Sequence, residues 1–84
     1  MKGGLWHRPT QRDLLIEKLR ERRAEGRALD LPEIMRLGIA QHGARMKEIR
    51  NRGFQIKNEL ETVGGALHSR YWLTFDPERD GERQ

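Results

Sequence analysis

A chain of 84 residues has room for one domain and one modest core, because a chain this short buries only about 60% of the surface it exposes when unfolded. Its 17 Lys and Arg against 13 Asp and Glu give a formal net charge of +4 and a pI near 10.1, a balance that favours anionic partners. With no cysteine it has neither a disulfide framework nor a Cys-based zinc site, and no apolar run approaches the roughly 20 residues that span a bilayer, so a cytoplasmic protein without membrane contact is expected.

Met1 to Pro9 contains Gly3, Gly4 and Pro9 and reads as a flexible arm whose Leu5 and Trp6 can dock on the body. Thr10 then opens a first helix, with Asp13 placed to return the cap reciprocally. Leu15 and Leu19 lie four apart with Leu14 and Ile16 beside them, so this helix has an apolar stripe that needs a partner. Its other face alternates charge, and Gly26 supplies the left-handed residue that ends it.

Ala28 and Leu29 suit a very short strand. Asp30 caps a second helix, with Pro32 in its first turn, Glu33 completing an Asp-x-x-Glu box, and Ile34, Met35 and Leu37 as its inward side. Gly38 permits a sharp reversal and Ile39 plugs the angle between helices. The spacing predicts a third helix from Gln41 to Arg52. On it His42, Met46 and Ile49 share the core side, and Gln41, Ala44, Glu48 and Asn51 share the opposite one, flanked by Arg45, Lys47 and Arg52.

Two period-two runs follow, Phe54 to Lys57 and Ser69 to Phe75, which predict strands with Phe54, Tyr71 and Phe75 facing the core. Leu60 to His68 reads as a loop with Gly64 and Gly65 at its tip. Trp72 points outward, either covered by Leu5 and Trp6, which is favoured, or exposed for a partner. From Asp76 onward no position is apolar, so 76–84 is expected to be a disordered tail, leaving 10–75 as the domain. Residues 1–75 carry 15 basic and 9 acidic groups, so the expected domain is more basic than the whole chain.

Helix, turn, basic helix and two strands in this order predict an α+β fold, a winged helix-turn-helix with three helices and a two- or three-stranded β-hairpin wing. The third helix has the side chains that base edges and phosphates require. Gln41 can pair with adenine, Arg45 with guanine, and Ala44 allows close approach or contact with a thymine methyl. Lys47, Arg50 and Arg52 suit phosphates, as does Lys57, and His68 and Arg70 across the wing can add a minor-groove or backbone contact. Glu48 is discordant; it either accepts from a cytosine amino group or restrains Arg45 or Arg52 by an ion pair. The plainer alternative is a solvated helix face with no nucleic-acid role.

Enzyme chemistry finds no support in the pattern. His7, His42 and His68 fall in the arm, on the inner side of the third helix and in the wing, without metal-ligand spacing, and no Ser or Cys nucleophile accompanies a base. No metal and no cofactor is expected.

The run Gly38-Ile39-Ala40-Gln41-His42-Gly43-Ala44-Arg45-Met46-Lys47-Glu48-Ile49-Arg50-Asn51-Arg52-Gly53-Phe54-Gln55-Ile56, closed by Ser69-Arg70-Tyr71-Trp72-Leu73, resembles the small winged helix-turn-helix domains common in phages and prophages. The resemblance covers roughly Thr10 to Phe75. Ile49 and Phe54 stand where the family usually has Leu and Tyr, and Arg20 to Arg23 extend the charge of the first helix. The resemblance implies DNA contact by the Arg45 to Arg52 helix, with Glu48 and Arg50 at positions that are either part of that contact or structural instead, Arg50 then capping a carbonyl or bonding the hairpin. Double-stranded DNA is therefore the expected partner, bound by a small transcription regulator or architectural factor such as a repressor or excision factor. A homodimer or tandem sites would enlarge its small contact surface. The alternatives are a phage accessory protein that inhibits a host complex, such as RNA polymerase or a defence complex, and a binder of RNA or single-stranded DNA, for which only Trp72 qualifies.

Overall fold

The computed structural model describes residues 10–81, which form α1 (Gln11–Ala24), β1 (Leu29–Asp30), α2 (Leu31–Arg36), α3 (His42–Asn51), β2 (Gln55–Val63) and β3 (Ala66–Phe75). This is an α+β arrangement of three helices and one three-stranded antiparallel sheet in the order β1-β3-β2. It is compatible with a winged-helix layout. The Met1 to Pro9 arm, with the expected docking of Leu5 and Trp6, lies outside the described residues, as do 82–84.

Local signals place the helices. The amide of Asp13 donates to the Thr10 hydroxyl at 3.1 Å and the Thr10 amide donates back to the Asp13 carboxylate at 3.4 Å, a complete capping box. At the other end Gly26 has φ of 71°, and the amides of Gly26 and Arg27 return to the carbonyls of Arg23 and Arg22, a Schellman closure. Leu15, Ile16 and Leu19 are buried, while Leu14 on the same helix stays partly exposed.

Asp30 caps α2 by accepting from the Glu33 amide at 3.0 Å, but the expected reciprocal box does not form. The Glu33 carboxylate instead receives the Arg22 guanidinium, tying α2 to α1, because an arginine fork satisfies a carboxylate better than one amide does. Met35 is a second correction. It is 66% exposed, since a six-residue helix turns only one narrow side inward and Ile34 fills it, with Leu37 packed beside the core.

Leu15, Leu19, Leu29, Ile34, Ile39, Met46, Ile49, Phe54, Ile56, Tyr71 and Leu73 belong to one core. β1 contributes Leu29, paired with Tyr71. His42 is half-buried with its ring edge-on to Tyr71, centroids 6.1 Å apart. Phe75, expected in the core, is only half-buried, because a register shift between Gln55 and Ile56 sets it opposite Gln55 beyond the last core pair, Ile56 with Leu73.

The hairpin and the chain end depart most from expectation. Leu60 to His68 is no loop: β2 and β3 stay paired out to Val63 and Ala66, and Gly64 and Gly65 alone turn the chain, both with positive φ. The distal ribbon reaches past the core, so no buried face imposes an apolar alternation there. The expected disorder from Asp76 is likewise overturned as far as Gly81. Asp76 is fully buried, Arg20 donates to both its carboxylate oxygens, and the amides of Arg79 and Asp80 return to its carbonyl. A tail without apolar residues is held by ion pairing instead.

Candidate nucleic-acid interface

α3 is presented by Gly38, with φ of 77°, and by Gln41, whose φ of 53° and ψ of 50° put a non-glycine residue in the left-handed region at the helix N-cap. No side chain caps this N-terminus. Burial of Met46 and Ile49 fixes the helix rotation, which leaves Gln41, Ala44, Lys47, Arg50 and Asn51 exposed, with Arg45 and Glu48 half-buried.

The candidate cations are largely engaged. Arg45 donates to Glu48 at 2.9 Å, and Arg12 on α1 approaches the other oxygen of Glu48 at 4.0 Å. The Nε atoms of both arginines are buried without a hydrogen-bond partner, so this three-residue cluster is incompletely satisfied. Arg52 donates to Glu78 at 3.0 Å. Arg50 donates to the carbonyl of Ile56 at 3.0 Å, which engages it with the hairpin. Lys47 has no carboxylate partner among the described residues.

The remaining candidates occupy another surface. Ile56, Tyr71 and Leu73 turn toward the helices, so by alternation Lys57, His68, Arg70 and Trp72 lie on the opposite face of the sheet. There Arg70 donates to Glu61 at 2.7 Å and lies 5.8 Å over the Trp72 ring, whose indole N–H donates to Glu59 at 2.9 Å. Lys57 is 3.8 Å from Glu59. Half-buried His68 joins Arg27, Asp30, Glu61, Arg70 and Trp72 around a shallow cavity of about 380 Å³. Trp72 thus has neighbours within the sheet, whereas Leu5 and Trp6 lie outside the described residues.

The structure brings Gln41, Ala44, Arg45, Lys47 and Glu48 together on one surface, with Arg50 and Arg52 at its end, and separates them from Lys57, His68 and Arg70. On the α3 side of the hairpin it places Asn58, Thr62 and Ser69 instead, side chains that can donate and accept. The sequence reading missed these three. Counting in twos from Ile56 and Tyr71 through the hairpin would have found them.

Electrostatics favour retention of the internal pairs. Burial pushes the Asp76 carboxyl up, but hydrogen bonds from Arg20 and from the Glu78 amide hold it below the ordinary carboxylate range. Hydrogen bonding to Arg22 lowers Glu33, and to Arg23 lowers Asp80. Among the described residues no group of three or more His, Asp or Glu is arranged to hold a metal ion, and no helix is long and apolar enough to cross a membrane. No protein-family model, no curated protein and no solved structure matches the chain.

Proposed function

We propose that this chain is a winged helix-turn-helix protein that binds double-stranded DNA, with α3 in the major groove, and that it serves as a small regulator or architectural factor of a phage or mobile element. The observation that carries this reading is the outward side of α3, where Gln41, Ala44 and Lys47 are exposed together and Lys47 has no carboxylate partner among the described residues. A groove about 12 Å wide admits a helix whose outer side is this narrow. Asn58, Thr62 and Ser69 on the same side of the hairpin supply neutral hydrogen-bonding groups for the backbone.

Titration of a random duplex at rising salt tests the reading, with wild type against an Arg45→Ala, Lys47→Ala double variant. If about three phosphates are neutralised, the salt slope is on the order of −3, shallower than five free cations would give. Wild type that ignores duplex at about 50 mM salt, or a double variant that binds equally well, rejects the reading.

A second reading, a phage accessory protein that inhibits a host complex, draws on one observation. Leu60, Val63 and Leu67 in the distal hairpin are 62%, 50% and 71% exposed, where a phosphate contact would want cations. It predicts a wild type that leaves duplex DNA unbound.

A further inference from the structure

The outer edge of β2 is open. Among the described residues β3 is its sole strand neighbour, and the strand is nine residues long. Val63 and Ala66 close the two-residue turn as a pair, so the amide and carbonyl of Val63 point into the ladder. By alternation those of Glu61 and Glu59 do the same, whereas those of Thr62, Leu60 and Asn58 point away from β3. Ile56 shares that outward parity, and its carbonyl accepts from Arg50 rather than from a strand.

We infer that a second copy of this chain pairs with this edge, β2 against β2 in antiparallel register, with the two-fold axis at Asn58. The inference goes beyond the DNA reading and does not depend on it. An antiparallel self-pairing must match outward-pointing residues with one another, so the axis has to pass through a residue. An axis at Lys57 sets that lysine against itself, and one at Glu59 or Glu61 does the same with a glutamate. An axis at Leu60 opposes Glu59 to Glu61. Only the axis at Asn58 avoids like charges between Lys57 and Glu61, and it sets Lys57 opposite Glu59 of the second copy twice over.

The same register treats the apolar residue well. Leu60, 62% exposed in the single chain, falls opposite Ile56 of the second copy on the core-facing side of the sheet. The Ile56 carbonyl keeps a second lone pair for the incoming Leu60 amide while Arg50 holds the first. The outcome is one continuous sheet across the dimer.

Sedimentation equilibrium of the full chain tests the inference. Wild type should rise from 9.9 kDa toward twice that mass as concentration increases to about 1 mM. Asn58→Pro removes an amide that points away from β3, so it spares the hairpin and should weaken association at least about tenfold. Lys57→Glu and Glu59→Lys should each self-associate poorly, since each opposes like charges. Mixed in equal amounts they should pair, because both cross-strand contacts become attractive. Circular dichroism and a thermal melt confirm that each variant is folded, and the mixture is its own positive control. Wild type that stays at 9.9 kDa to about 1 mM overturns the inference. So does an Asn58→Pro variant that dimerises as wild type does, or a mixture that stays monomeric while wild type dimerises.

Discussion

Arg20 and Asp76 stand 56 positions apart in sequence and meet through two hydrogen bonds, Nε to Oδ2 at 2.7 Å and Nη2 to Oδ1 at 3.1 Å. Arg20 also donates to Glu78 and lies 5.6 Å over the Phe54 ring, so one α1 side chain joins the chain end, the exit of α3 and the core. Removing Asp76 leaves a mostly buried guanidinium short of its main partner. Asp76→Ala should therefore cost about 2–3 kcal/mol in urea unfolding. An unchanged midpoint would show that the turn adds nothing to the fold.

Acid should weaken the fold through the same groups. Asp76, Glu33 and Asp80 all have lowered folded-state pKa values, so their contribution is present above the unfolded pKa near 4 and fades as pH falls through the folded values. Thermal melts should be flat from about pH 7 to 5 and decline below about pH 4. Asp76→Asn should flatten part of that decline, whereas a variant curve parallel to wild type would assign the acid loss elsewhere.

Glu48 is the carboxylate most directly opposed to a DNA role, because it holds Arg45 and repels phosphate. Glu48→Gln should release Arg45 and raise duplex affinity roughly three- to tenfold at low salt, with a salt slope steeper by about one. Weaker binding in that variant would instead make Glu48 a base-reading residue.

Gln41 occupies a backbone conformation that costs a non-glycine residue about 1 kcal/mol. Gln41→Gly should raise the melting temperature by roughly 4–8 °C per kcal/mol regained. If the Gln41 side chain reads a base, the same variant loses discrimination at one base pair while keeping its salt slope. A stabilised variant with full discrimination would leave Gln41 as a hinge residue only.

Features encoded within a few neighbouring residues were legible in the sequence. The caps at Thr10 and Asp30, the stop at Gly26, the plug at Ile39 and the rotation of α3 all follow from spacing and backbone preference, and the structure repeats them. Features created by distant partners were not. Nothing near Asp76 in sequence announces Arg20, and nothing near Glu33 announces that Arg22 will take its carboxylate from the cap. The distal hairpin escaped for a different reason: with no core beneath it, its strands need no apolar alternation. The candidate residues were legible as types, but not their division between two faces of the sheet.

The arginine pairs have a consequence in time rather than in energy. Ion pairing inside the molecule leaves its formal charge of +4 intact, so an approaching polyanion still meets a positive far field and is drawn in quickly. On arrival, few of those charges are unoccupied: Arg45, Arg52 and Arg70 already hold glutamates. If the proposed DNA reading holds, encounter should be fast and residence brief, with a second contact or a second subunit needed to lengthen the stay.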